Sequence, residues 1–216
     1  MLLWGTRCDG CPWPTVISIA ACCILAWTSC SRSQNDLLKT GDLIFHTSMS
    51  SQSRAIQLAS SSPWTHMGII HCAGDTVFVL EAVQPVQLTD IDTWIEKGLG
   101  GRYVVKRLKN ADKLLTRDVI SRMQQIGAGY IGKDYDPYFE WSDERIYCSE
   151  LVWKIYKRVL NLEIGGLQRI GDFELSHAAV KEKLRERFGD HVPEEEPAIS
   201  PAQMFSSELL ITVCSR

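Results

Sequence analysis

Thr65-His-Met-Gly-Ile-Ile-His-Cys72 and Val77-Phe-Val-Leu-Glu-Ala-Val83 are two runs of strand-forming residues joined across Gly74-Asp75. A glycine-containing pair between two such runs is a hairpin turn. A two-residue turn sets Ala73 opposite Thr76, and the rest of the register follows: Gly68 faces Glu81 and His66 faces Val83. Side chains alternate across a strand, so His66 and Glu81 share one face as diagonal neighbours. Their Cβ atoms are then roughly 7 Å apart, within hydrogen-bond reach for two long side chains. His71 falls on the other face. One turn therefore yields a histidine–carboxylate pair and picks one histidine of two. Glu81 itself has two readings. It is buried against His66, because an unpaired buried charge is costly, or it is solvated on an exposed strand face.

Outward from the hairpin, the chain alternates between strands and helices without a βαβ repeat. Asp42-Leu-Ile-Phe45 follows a Gly turn and reads as a short strand, and Gln52–Ser60 has helical spacing. Tyr103–Leu108 is another strand, Leu114–Ile126 an amphipathic helix stopped at Gly127, and His177–Phe188 a charged surface helix. Leu210–Val213 reads as the last strand. The clearest helix is Ser149–Leu160, with Leu151, Val152, Ile155, Tyr156 and Val159 on one face and Gly165-Gly166 beyond it. The class expected is α+β, an antiparallel sheet packed against helices.

Cys148 stands at the start of that helix, in Tyr147-Cys-Ser-Glu-Leu-Val152. Unpaired N–H groups and the positive end of the helix dipole stabilise a thiolate there, which is how many thiol nucleophiles are built. The alternative is a buried structural cysteine. A thiol nucleophile also needs an imidazole and a group to orient it. His66 with Glu81 supplies both, whereas His46, His177 and His191 have no patterned context.

Composition narrows the classes further. The 216 residues are 45% hydrophobic and 23% charged with a formal net charge of -3. That is the balance of a globular domain, with no basic excess for nucleic acid. Five of the eight cysteines (Cys8, Cys11, Cys22, Cys23, Cys30) fall in the first thirty residues, so no disulfide framework spans the chain. Cys8-Asp-Gly-Cys11 has no second pair and makes no metal site. Val16–Trp27 is an uncharged apolar run too short to cross a bilayer, where about 20 residues are needed, and fits an export signal. Cys30 and Cys22 are the two candidates for lipidation. The expected organisation is an export segment at 1–30, a linker at 31–39 and one domain at 40–216. The protein is then exported, held at the membrane by its lipid, and faces the periplasm or cell exterior. The alternative for the apolar run is an amino-terminal helix packed on the domain.

Gly41-Asp-Leu-Ile-Phe, Ser50-Ser-Gln-Ser-Arg-Ala-Ile-Gln, Thr65-His-Met-Gly, Leu80-Glu-Ala, Tyr135-Asp136 and Tyr147-Cys-Ser-Glu-Leu-Val, in this order, resemble the YiiX-like permuted papain-like amidases. These belong to the NlpC-type and lecithin:retinol acyltransferase-like cysteine hydrolases. The resemblance runs from about Leu38 to Gly166, with a fainter echo at Ser200-Pro-Ala. The order His, Glu, Cys is the permuted one. The resemblance implies a circularly permuted papain-like fold, with Cys148 as nucleophile, His66 as general base and Glu81 orienting it. It implies an amide bond in a cell-wall peptide or acyl-amide substrate, with no metal or organic cofactor. Gln52 and the Tyr147 hydroxyl are candidate oxyanion donors. Asp136, with Asp134, is a candidate cleft residue that would favour an amine-bearing substrate. Trp64 and Trp141 are candidate cleft walls. A lipid-directed thioesterase or acyltransferase, favoured by an apolar cleft, and a non-catalytic binding module are the competing functions.

Overall fold

The structure, a computed structural model, describes residues 37–216. The expected export segment, Cys22, Cys30 and the linker up to residue 36 lie outside the described residues. The hairpin is β2 (His66–Ala73) and β3 (Thr76–Glu81), paired from Ala73↔Thr76 to Ile69↔Leu80 in the register set by a two-residue turn. On the other side of β2 lies β1 (Leu43–Ser48), itself paired with the long β5 (Gly98–Leu108). With β4 (Gln87–Asp90) and β8 (Leu210–Ser215) at the edges, the six-stranded antiparallel sheet runs β4-β3-β2-β1-β5-β8.

Alternation along these strands divides the core in two. Leu43, Phe45, Met67, Ile69 and Leu80 point to one face. They meet α5 (Cys148–Leu160), whose Leu151, Val152, Ile155, Tyr156 and Val159 form the predicted stripe, and Met123 of α4 (Arg117–Ala128). Ile44, Ile70, Val77, Val79, Tyr103 and Val105 point the other way, against Ile91, Trp94 and Ile95 of α2 (Ile91–Glu96). Burying a Leu, Ile or Val side chain contributes about 1.5–3 kcal/mol, so each face alone is a substantial stabilising layer.

Some boundaries differ from the sequence reading. The expected helix at 114–126 is two, α3 (Ala111–Leu114) and α4, because Thr116 caps α4 by accepting the Val119 N–H at 3.3 Å. Gly127 does not stop α4. It lies within it, where a Cβ would stand 2.7 Å from Leu80 Cδ2, so the glycine permits close packing of helix on sheet. Residues 37–39, given to the linker, are docked. Leu38 is buried in the second core, and the Leu37 carbonyl accepts from Arg107 Nη2 at 2.7 Å. Strands β1 and β5 separate β2 from β8, so Cys72 and Cys214 stand at least about 14 Å apart at ordinary strand spacing, beyond disulfide reach.

Four elements complete the site: α1 (Ser53–Ser60), α6 (Ala178–Phe188), α7 (Pro201–Phe205) and the two-stranded ribbon of β6 (Gln168–Arg169) and β7 (Pro197–Ala198). Helices α1 and α6 pack together, and α7 meets α5.

Candidate active site

Cys148 is the first residue of α5, and Tyr147 is its N-cap. The Glu150 carboxylate reaches back to accept the Tyr147 N–H at 3.4 Å and pairs with Lys154 at 2.7 Å. Burial outweighs that lysine and pushes the Glu150 carboxyl up to about 8. Two bonds tie the start of α5 to the segment after β7: Ser149 Oγ donates to the Ile199 carbonyl at 2.7 Å, and the Ile199 N–H donates to the Tyr147 hydroxyl at 3.1 Å. The later segment that carries the fainter Ser200-Pro-Ala resemblance is therefore docked beside the cysteine.

His66, the first residue of β2, places Nε2 2.6 Å from Glu81 Oε2. The ring is also within hydrogen-bonding reach of the Cys148 sulfur, and Nδ1 is the nitrogen left for it. Glu81 is fully buried, so of its two sequence readings the buried, paired one describes the fold. Its Oε1 accepts from Thr89 Oγ1 at 2.6 Å and from Lys97 Nζ at 3.2 Å, which offsets the cost of burying the charge. Burial alone would raise the Glu81 carboxyl, but His66, Thr89 and Lys97 hold it down at about 2. Burial likewise works against an imidazolium at His66, yet Cys148 and then Glu81 more than reverse this and raise it to about 10. Sulfur, imidazole and carboxylate thus form one charge-coupled line.

Behind this line stands a second histidine. His46 pairs across the strands with His66, and their ring centroids are 5.3 Å apart. The other contact of the His46 ring is Trp94, stacked at 3.9 Å. Burial, with His66 close by, pulls His46 down to about 3, so it stays neutral where His66 is charged. Gly98 makes room for it, because a Cβ there would meet His46 Nδ1 at 2.9 Å.

On the side of Cys148 opens a cleft with a mostly apolar wall. Ile56 of α1, Ile170, Phe173, Val180 and Leu184 of α6, and Ile199 contribute to it. Gln52, Tyr135 and Arg187 line it as well and form a chain. Arg187 Nη2 donates to Gln52 Oε1 at 2.5 Å, and Gln52 Nε2 donates to the Tyr135 hydroxyl at 2.9 Å. Burial, then the Cys148 thiolate, push the Tyr135 phenol upward, so it keeps a proton to donate.

The candidates from sequence are distributed as follows. Cys148, His66 and Glu81 come together, and Gln52 and Tyr147 line the cleft beside Cys148. The Tyr147 hydroxyl accepts the Ile199 N–H, so Tyr147 also fastens the wall. Asp136 is fully buried outside the cleft wall, where Oδ1 accepts the Tyr138 N–H at 2.9 Å, and Asp134 is turned to Gln84. The expectation that aspartates would draw an amine into the cleft is therefore corrected: the charged side chains in its wall are Lys183 and Arg187. Trp64 stacks on Phe205 and Trp141 meets Trp153 edge-on, both against the first core and neither in the cleft wall. Thr89, Lys97, His46, Trp94 and Arg187 also surround the site, and no sequence pattern points to them.

A family model described as the permuted papain-like amidase enzymes of the YaeF/YiiX type, C92 family, matches residues 37–214. The protein YiiX of Escherichia coli (strain K12) is 42% identical over 175 residues, which cover 81% of this chain and 85% of the relative. A crystal structure described as that of the metalloprotein YiiX from Escherichia coli O157:H7 superposes with a TM-score of 0.79 at 42% identity, covering 82% of this chain and 97% of that one. Among the described residues of this chain, no group of three or more His, Cys, Asp or Glu side chains is arranged to hold a metal ion. His66 is taken up by Glu81 and Cys148, so these residues do not fit a metal centre.

Proposed function

This chain belongs to the C92 family of permuted papain-like amidases, and on that premise we propose that it cleaves an amide bond with Cys148 as nucleophile, His66 as acid–base and Glu81 as its orienting partner. The observation that carries the reading is the position of His66, 2.6 Å from a fully buried glutamate and within bonding reach of a cysteine at a helix amino-terminus.

The thiolate attacks the carbonyl carbon and forms a C–S bond. The oxyanion is met by the free N–H groups at the start of α5 and by the Tyr135 hydroxyl, which Gln52 holds in place. His66 gives its proton to the leaving nitrogen and the C–N bond breaks. Water, deprotonated by His66, then attacks the thioester, releases the acid and restores the thiol. Neutral His46 and Trp94 back the His66 ring without competing for its proton.

The apolar wall favours an acyl-amide over a cell-wall peptide, because an alkyl chain gains from leaving water there and a polar glycopeptide does not. It also supports a second reading, a lipid-directed thioesterase or acyltransferase. The same thioester would pass its acyl group to a lipid hydroxyl or amine, and adding such an acceptor to the assay separates the two by product. Export and a lipid on Cys30 or Cys22 are proposed from the sequence of residues 1–30, and mass spectrometry of the mature amino-terminus tests them.

Cys148→Ala is expected to lower hydrolysis of N-acyl amides by about a thousandfold or more while the fold is kept. Wild type should trap a thioacyl adduct on Cys148, seen by mass spectrometry. Activity surviving in Cys148→Ala, or a Cys148 that iodoacetamide cannot label at neutral pH, would overturn the assignment, the second in favour of a binding module.

A further inference from the structure

Of the described arginines, Arg54, Arg102, Arg117, Arg122, Arg185 and Arg216 are exposed, and water serves their charge. Arg107, Arg145, Arg158 and Arg169 each meet a carboxylate. Arg187 is the one described arginine that is half-buried and makes no hydrogen bond or ion pair with a carboxylate among the described residues. Its contacts are the neutral oxygen of Gln52 at 2.5 Å and the face of Phe139, 5.1 Å from the ring centroid. A half-buried guanidinium with no carboxylate in contact gains from an anion brought against it. Lys183, one turn earlier on α6 and in the same wall, pairs with Glu186 at 2.5 Å, so of the two cations Arg187 is the one with no carboxylate in contact.

We infer that Arg187 is an anion anchor, and that the preferred substrate is an amide carrying a carboxylate or phosphate close to its scissile bond. The inference rests on the thiol-amidase reading and adds the charge of the substrate to it. Arg187 spends one N–H on Gln52, and the rest of its planar fork is available for bidentate binding of an oxyanion. Gln52 links it to Tyr135, so an anion held on Arg187 lies two side chains away from the phenol that faces Cys148. Binding there puts an anion in contact with the guanidinium and fixes the amide against the nucleophile in one step.

The test is a matched series: N-decanoylglycine (carboxylate), N-decanoylaminoethyl phosphate, neutral N-decanoylglycinamide and cationic N-decanoylagmatine. An anionic member should exceed the neutral one by about tenfold or more in kcat/KM, the size of one hydrogen bond to a charged group. The carboxylate and phosphate arms tell which anion is preferred. In Arg187→Gln the anionic-to-neutral ratio should fall to near one, and Arg187→Lys should recover part of it. A ratio near one in wild type, or unchanged in Arg187→Gln, overturns the anchor. Binding gives a second readout: calorimetry of N-decanoylglycine and its glycinamide on the Cys148→Ala protein should show the acid bound more tightly, and Arg187→Gln in that background should erase the difference. Equal binding overturns the anchor. Turnover that persists in Cys148→Ala sinks the thiol mechanism, whereas Cys148-dependent turnover indifferent to charge sinks the anchor alone.

Discussion

On one side of Cys148, His66 is fixed by Glu81, and Glu81 in turn by Thr89 and Lys97, with His46 and Trp94 stacked behind. On the other side, Tyr135 depends on Gln52, and Gln52 on a single arginine of α6. The first group stands on sheet strands and a helix packed against them, buried except at Lys97 on its rim. The second bridges a loop and two helices across a cleft. The difference teaches where precision is held and where adjustment is allowed. On the proposed mechanism a proton-transfer pair needs one geometry throughout the cycle, while a wall that receives the substrate must admit and release it.

The comparison breaks first at Glu81. If its role is to orient and charge-stabilise His66, Glu81→Gln should lower kcat by about ten- to a hundredfold with KM little changed, since one charge-assisted bond weakens. Gln52→Ala on the cleft side should cost less, about tenfold or below, and should raise KM as well as lower kcat. Steady-state kinetics of the two variants on one N-acyl amide distinguishes them. A Gln52 effect larger than that of Glu81 would reverse the assignment of the rigid side.

The same buried charges fix a pH window. His66, raised from 6.5 to about 10, contributes stability that is complete below pH 6.5 and lost as pH rises through about 10. Glu81, lowered from 4.5 to about 2, contributes stability present above pH 4.5 and lost as pH falls through about 2. His46, lowered to about 3, adds to the loss on the acid side from 6.5 downward. Glu150, raised to about 8, adds to the loss on the alkaline side from 4.5 upward. Between about pH 4.5 and 6.5 the last two slopes oppose each other, so the melting midpoint should be flat there and fall on both sides. Cys148→Ala removes the group that raises His66 most, so the alkaline loss that begins above pH 6.5 should be smaller and end at lower pH. Calorimetry across pH 3–10 checks both, and an alkaline limb indifferent to Cys148 would uncouple sulfur from imidazole.

The rigid side was the more legible in sequence, and the reason is local physics. Gly74-Asp75 fixes the turn, alternation fixes the faces, and together they bring His66 to Glu81 before any long-range contact is known. Periodicity finds α5 because half of its surface is core. The partners of Glu81 were hidden. Thr89 lies on a four-residue edge strand too short to alternate visibly, and Lys97 at the end of a six-residue helix. Ending the first strand at Phe45 left His46 in a loop, although it shares a face with Ile44. Arg187 was read as solvated because α6 is mostly charged, and only tertiary contact shows that Val180 and Leu184 turn toward the cleft.

The smallest expected effect lies at the rim of the rigid side. Lys97 reaches Glu81 at 3.2 Å, but its side chain is 43% exposed, so water and salt screen the pair. Glu81 keeps the Thr89 hydroxyl on the same oxygen at 2.6 Å when Lys97 is gone. Lys97→Met should therefore leave kcat within about threefold of wild type, a change below 1 kcal/mol, and the loss should shrink further at high salt. Thr89→Val, which strips the buried partner and leaves Oε1 to the lysine alone, should cost more and be insensitive to salt. If Lys97→Met proves the more damaging of the two, the buried glutamate is held by long-range charge and not by its short hydrogen bonds. The contrast between a fixed base and an adjustable cleft would then lose its physical basis.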